Sequence, residues 1–256
     1  MDDRFELICE IEPATTPDLR RIRHQIGVLS PISTAFLIPD NHIGRATVSS
    51  IAVAHEVLQM GGRAIACLNA RDRNTLGFRR DLLTAAAYGV EEFLFVYGDR
   101  PESGRRSDDL TVRAMIEHAR AFGSEHPTGN RLQIGVASGL APLPEWKNKA
   151  DLLFAQVGFS LAKLLEWRRS IDFTGRVYAG VMVVASAAMG QKLSAEIPQL
   201  AVPDWLVERL DRDRSAGVVF ACDMIGQIRD SGAFDGVHLI PVNRYREIAE
   251  RLEAEF

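Results

Sequence analysis

Three polar side chains stand where apolar runs stop, and one of them has the makings of an acid catalyst. Glu10 lies within the run from Phe5 to Ile11, Asp99 follows the run from Phe93 to Tyr97, and Gln156 closes the run that begins at Leu152. Alternate side chains of a strand share a face, so Glu6, Ile8, Glu10 and Glu12 point one way while Leu7, Cys9 and Ile11 point the other. A carboxyl group held partly out of water in this way has its pKa raised by desolvation, which suits a general acid at neutral pH. Plainer readings stand beside these. Glu10 could be half of a buried ion pair with an arginine, and GDRP at 98–101 is a good turn sequence in which Asp99 caps the next segment.

The elements that would position these groups alternate regularly. Strand patterns fall at 5–11, 32–38, 63–68, 93–97, 131–137, 152–156, 176–184 and 236–242. Helical spacing follows most of them. The first helix is opened by Thr15, Thr16 and Pro17, and others span 46–60, 78–88, 109–122, 160–171 and 245–256. Gly61 and Gly62, Gly89, and Gly123 mark helix ends. Only a short helical piece, ending at Lys149, separates strands five and six. The segment 187–232 is longer than the other connections, and Pro198, Pro203 and the polar run 211–215 divide it into three helical pieces. Eight strand-then-helix units predict an α/β fold, a (β/α)8 TIM barrel formed by one domain over 1–256, with extra helices between strands seven and eight. The rival open sheet lacks its usual Gly-x-Gly-x-x-Gly after any strand.

In such a barrel the loops after the strands build the active site. Those positions hold Glu10 and Glu12, Asn41 and His42, Asn69 with Arg71 and Asp72, Asp99, Ser138, Gln156, Ser186, and Asn243 with Arg244. Loops are polar in any case, and part of this set is solvated rim. Glu10, Asp99 and Gln156 stand out because each directly continues an apolar strand.

Composition narrows the partners. The chain has 256 residues, 46% of them hydrophobic and 25% charged, the balance of a soluble globular protein. Net charge is -4 with basic residues scattered, so the footprint of a nucleic-acid binder is absent and a small-molecule partner is expected. Cys9, Cys67 and Cys222 lie far apart and read as reduced core residues. No apolar stretch reaches the ~18 residues of a membrane span, and no leader precedes the first strand, so a cytoplasmic protein is expected. His42 and His55 lack metal-ligand spacing, and His238, inside strand eight, reads as a satisfied core histidine, so no metal is predicted. A homo-oligomer stays open.

Motifs at the strand ends add a family resemblance. EIEP at 10–13, YGDRP at 97–101, FAQ at 154–156 before GFS at 158–160, and VNR at 242–244 occur in one order, with PDW at 203–205 opening a helix. Together they resemble the methylenetetrahydrofolate reductase family along nearly the whole chain. The resemblance implies a (β/α)8 barrel that reduces 5,10-methylenetetrahydrofolate to 5-methyltetrahydrofolate with hydride from a reduced nicotinamide, ordinarily through bound FAD. It makes Glu10 the acid that opens the methylene bridge to an iminium and Asp99 the carboxylate that supports the pterin and the developing charge. It also makes Gln156 and Arg244 substrate-binding groups, with Asn243 and Glu12 beside them. An acid to form the cation, an anion to stabilise it and donors to orient a planar ring are what hydride transfer to an iminium needs.

The departures fall on the flavin. Where the family has a Thr-rich end to strand two and His-Leu-Thr ending strand three, this chain has Leu37-Ile38-Pro39 and Leu68-Asn69-Ala70. The segment from Ser138 to Lys149 is too short for the usual wall around FAD. Gly190 and Ser194 replace a glutamine and a ring-stacking phenylalanine, and the room gained there is expected to admit a nicotinamide stacked on the pterin. The expectation is therefore direct reduction by NADH or NADPH with FAD doubtful, the dinucleotide meeting Asn69, Arg100, Ser138, Ser186 and Gly190. Arg100, Arg105 and Arg106 read equally as phosphate-binding guanidinium groups and as a solvated loop. Retention of FAD or a deazaflavin, and a non-catalytic folate-binding protein, are the alternatives.

Overall fold

The computed structural model describes residues 5–12, 14–100, 102–126 and 131–255; Pro13 and Pro101, which end two of the motifs, lie outside the described residues. Eight parallel strands close into a barrel in sequence order: β1 (Glu6–Glu10), β2 (Ala35–Ile38), β3 (Ala64–Asn69), β4 (Glu92–Val96), β5 (Gln133–Ser138), β6 (Leu152–Val157), β7 (Arg176–Met182) and β8 (Gly236–Ile240). Closure pairs β1 with β8, setting Ile8 beside His238. Helices α1 (Arg20–Leu29), α2 (Ser50–Gln59), α3 (Thr75–Ala87), α4 (Val112–Glu125) and α5 (Leu161–Ser170) lie between strands, and α9 (Tyr245–Glu255) follows β8. A 3-10 turn, Glu145–Lys149, serves between β5 and β6. The β7–β8 connection carries α6 (Ala187–Glu196), α7 (Asp204–Arg212) and α8 (Ala216–Ser231), the extra helices expected there.

Strand parity divides the apolar residues into two layers. Ile8, Ala35, Leu37, Ile65, Cys67, Leu94, Leu152, Phe154 and Tyr178 pack inside the barrel. Leu7, Cys9, Phe36, Ile38, Leu68, Phe93, Phe95, Ile134 and Val136 face the helices. Burial of each large apolar side chain contributes about 1.5–3 kcal/mol, so a strand slipped by one residue, which exchanges the layers, is strongly disfavoured. Glu6 and Glu10 share the parity of Ile8 and end β1 below and above the inner core.

The two ends of the barrel are built differently. At the amino-terminal end Arg63 and Arg176 donate to Glu6 at 2.7 and 3.0 Å, the Tyr178 hydroxyl donates to the same carboxylate, and Arg63 lies 3.1 Å from Glu92. Burial opposes ionisation of Glu6, but hydrogen bonds from Arg63 and Tyr178 and the charges of both arginines hold its pKa below the usual carboxyl value. Burial pushes the neighbouring Glu92 the other way. The carboxyl-terminal end instead opens onto the loops.

Several helix starts differ from the sequence reading. α1 begins at Arg20, whose N–H is taken by the Asp18 carboxylate at 2.9 Å, and no Thr15 or Thr16 cap forms. Asp109 does not open α4: it accepts the Thr75 N–H at 2.5 Å at the head of α3, and Thr111 caps α4. A carboxylate can cap a neighbouring helix as readily as its own.

Candidate active site

Glu10 reaches the barrel mouth from the end of β1 and meets the imidazole of His238, with Nε2 3.1 Å from Oε2. Both side chains are largely buried, 14% and 11% exposed. The ion pair with an arginine, weighed from sequence, belongs to Glu6 at the other end. Phe154 presents its ring edge-on to the His238 ring, 5.8 Å between centroids at 86°, and stacks on Tyr178 at 5.0 Å. The Cys67 thiol also faces this interior. Burial, then the charges of Glu10 and Asp40, raise its pKa well above the usual thiol value, so it stays a neutral wall.

The glutamate–histidine contact is the feature of the site that sequence reasoning missed. The signal was there in parity: His238 is two residues from Gly236 and from Ile240, on the inward face, and a closed barrel sets β8 beside β1. His238 is satisfied, as expected, but by the candidate acid.

Asp99 is exposed on the loop after β4, and its Oδ2 accepts the N–H of Ile43 at 2.9 Å. Asn41 and Ile43 both have left-handed backbone, φ 48° and 56°. Gly98 precedes Asp99 at φ 96°, where an added Cβ would sit 2.9 Å from Asn69 Cβ. The loops after β2 and β4 are thus tied together, with help from the Glu102 N–H on the Gly44 carbonyl and the Arg45–Glu102 pair.

Asn69 is 1% exposed and fully engaged. Its N–H and Nδ2 donate to Asp40 Oδ2 at 3.0 and 2.8 Å, Nδ2 also donates to Asp72 at 3.0 Å, and Oδ1 accepts the Asp72 N–H at 2.9 Å. Arg73 bridges Asp40 and Asp81 behind it. The polar groups ending β2 and β3 therefore bind one another, and Asn69 has no amide group left for a flavin or dinucleotide.

The remaining candidates spread around the rim. Gln156 lies on an irregular step of β6, where Phe154 pairs with Tyr178 but Val157 with Gly180. A Cβ on Gly180 would come 2.6 Å from the Ala155 carbonyl oxygen, so glycine there permits the step. Gln156 is exposed and lines a cavity of about 590 Å³ with Leu140, Val157, Lys163 and Trp167, which neither Glu10 nor Asp99 lines. Asn243 and Arg244 line another, about 880 Å³, with Arg20, Arg21, His24 and Arg246. Arg244 donates to the Arg214 carbonyl at 3.0 Å and pairs with Glu247, while the Glu12 carboxylate pairs with Arg21 and its N–H goes to Gln25. A third cavity, about 530 Å³, is lined by Tyr97, Thr111, Arg113, Trp146 and Lys147. Burial lowers the Lys147 pKa, and its ammonium donates to the Ala137 carbonyl at 2.7 Å.

Ser138 is buried and turns its hydroxyl onto the Gly139 carbonyl, Ser186 caps α6 through the Met189 N–H, and Arg100 is exposed. Gly190 corrects the sequence reading. It is buried, and a Cβ there would lie 3.2 Å from Val207, 3.4 Å from Val184 and 3.5 Å from Val202. Ser194 accepts the Val202 N–H at 2.9 Å. The expected room is filled by the chain leading into α7 and by α7 itself. Among the described residues no three or more His, Cys, Asp or Glu side chains gather as a metal site, and no helix is long and apolar enough to cross a membrane.

With this geometry the sequence matches the methylenetetrahydrofolate reductase family over residues 38–254. The chain belongs to that family. The match takes in Asp99, Gln156 and Arg244; Glu10 lies ahead of it. No curated protein matches the sequence. Among solved structures, a Clostridium thermocellum protein described as binding two copies of 5-methyl-5,6,7,8-tetrahydrofolic acid superposes with a TM-score of 0.64 at 10% identity, covering 98% of this chain and 96% of that one. Tryptophan synthase from M. tuberculosis gives a TM-score of 0.53 at 14% identity, covering 98% and 92%. A Rhizomucor miehei beta-1,3-glucanosyltransferase gives 0.54 at 10% identity, covering 92% and 86%. Identities this low speak for the barrel alone.

Proposed function

We propose that the chain reduces 5,10-methylenetetrahydrofolate to 5-methyltetrahydrofolate, taking hydride directly from NADH or NADPH without a bound flavin. The observation that carries this is a largely buried carboxyl group, Glu10, at an apolar barrel mouth, in a chain that belongs to the reductase family. Folate as the substrate class is supported by the family and by the tetrahydrofolate bound to the Clostridium thermocellum barrel. Flavin independence is supported by the engagement of Asn69 with Asp40 and Asp72.

Glu10 gives its proton to the bridge nitrogen as the carbon–nitrogen bond breaks, leaving a cationic iminium on the other nitrogen. Hydride from the dihydronicotinamide then reduces that carbon to a methyl group, and the coenzyme leaves oxidised. A low-dielectric floor of Leu37, Cys67, Leu94 and Phe154 keeps water from the cation and strengthens the carboxylate's field on it. Asp99 supports the pterin and its charge once its loop presents the carboxylate. Gln156, Asn243, Arg244 and Glu12 are rim groups for the rest of the folate, Arg244 through charge-assisted bonds to carboxylate.

The test is anaerobic mixing of flavin-free protein with reduced nicotinamide and methylenetetrahydrofolate. Nicotinamide oxidation that needs both is expected, and Glu10→Gln should slow it by about 10²–10⁴-fold. A yellow protein that loses activity when stripped of flavin overturns the flavin-free reading. Binding of folate without turnover, unaffected by Glu10→Gln, makes the chain a folate-binding protein instead, a reading the Clostridium thermocellum relative also supports.

A further inference from the structure

The His238 contact falls on Oε2 of Glu10, and the identity of that oxygen bears on how the acid works. We propose that His238 is the positioning residue of the acid: its Nε2–H holds Oε2, so that the transferable proton is carried by Oε1. The inference rests on the reduction proposed above.

The two imidazole tautomers have opposite consequences. With the hydrogen on Nδ1, bare Nε2 draws the carboxyl proton onto Oε2, into the barrel wall. With the hydrogen on Nε2, the same bond is donated to Oε2 both when Glu10 is protonated on Oε1 and after that proton has gone to the substrate. The bond then survives the transfer, and it strengthens as the carboxylate charge develops. No net proton passes to His238: the proton leaving Oε1 ends on the amine nitrogen released from the methylene bridge, and solvent reprotonates Glu10 after product leaves.

The fold restricts the imidazole to this task. Backbone pairing sets His238 between Ile8 of β1 and Gly180 of β7. Phe154 packs edge-on against the ring and is itself stacked on Tyr178, whose hydroxyl is fixed on Glu6 at the far end. A ring held in this way keeps the acid's free oxygen within the small tolerance that proton transfer allows.

The experiment compares His238→Leu, which removes the donor, with His238→Gln, which keeps an N–H at similar reach. Folding is checked by circular dichroism, and His238→Met replaces the leucine variant should that fail to fold. Two readouts are taken: anaerobic kcat and KM, and the infrared carboxyl band that Glu10→Gln abolishes. The proposal expects the leucine variant to lose about 10²-fold in kcat with folate KM within about 3-fold, and the glutamine variant to recover to within about 10-fold of wild type. The Glu10 band should shift in the leucine variant and return in the glutamine variant. Equal kcat in leucine variant and wild type, or equal loss in both variants, overturns it. If wild type shows no turnover, the reduction has failed on its own, and an unmoved infrared band then overturns the positioning role separately.

Discussion

Asp99 accepts the backbone N–H of Ile43 at 2.9 Å, so the carboxylate expected to face substrate is, in this structure, the tether between the loops after β2 and β4. Ile43 has a left-handed backbone that a β-branched residue rarely adopts, and it is 64% exposed. The hydrogen bond helps offset that strain.

Asp99→Ala should release the loop, with faster amide hydrogen exchange over residues 41–47 and a loss of kcat/KM of at least about 10-fold. Asp99→Asn separates the two duties, since an amide oxygen still accepts the Ile43 N–H but carries no charge. Restored protection with activity still low assigns the charge to the reaction. Recovery of both in the asparagine variant would reduce Asp99 to a tether.

At the closed end of the barrel, Glu6 is expected to matter for stability alone. Its folded pKa lies below the ordinary 4.5, so its contribution is complete above that pH and disappears as pH falls through the lower folded value. Glu6→Gln leaves the part-buried Arg63 and the more exposed Arg176 short of a carboxylate and should cost about 1–2 kcal/mol at neutral pH. Urea melts at pH 7 and pH 3 test the sign: the difference between wild type and variant should shrink at the lower pH. A gap that widens on acidification would mean that Glu92, whose pKa moves upward, governs this end instead.

The closed barrel was legible because its cause is local. Each strand is a short apolar run, most are followed closely by polar, glycine or proline residues, and the parity of Glu6, Ile8 and Glu10 follows from the chain alone. What escaped was decided by distant segments. His238 lies 228 residues from Glu10 and meets it only because β8 closes on β1. Gln156 follows an apolar strand in sequence, but it lies in the irregular step opposite Gly180 and lines a separate cavity. Asn69 reads as a free rim amide until Asp40, 29 residues earlier, is found on it.

That last contact can be tested directly. Asn69→Ala removes the buried amide that Asp40 and Asp72 share, while Arg73 stays on Asp40 and Asn41 on Asp72, and the expected loss is about 1–2 kcal/mol in chemical denaturation. Added FAD should leave the visible spectrum of wild type unchanged from that of the free flavin. A variant that melts like wild type yet needs about 10-fold more nicotinamide would place Asn69 on the coenzyme and undo the assignment to structure.

Gly190 offers the opposite experiment, placing a glutamine at the position that the sequence reading takes as opening the site. The resemblance expects a glutamine here in a flavin enzyme, so Gly190→Gln would regain a flavin contact if the position faced the barrel mouth. It faces Val184, Val202 and Val207 instead, at 3.2–3.5 Å from an added Cβ. A side chain of that length can be housed only by pushing α7 away, and overpacking of this kind costs about 1–3 kcal/mol. The expected outcome is a lower melting temperature, increased hydrogen exchange in α7, and no gain in flavin affinity by fluorescence titration. Tighter flavin binding in a variant that melts at the wild-type temperature would return Gly190 to the cofactor site and show that the α6–α7 pair opens in solution.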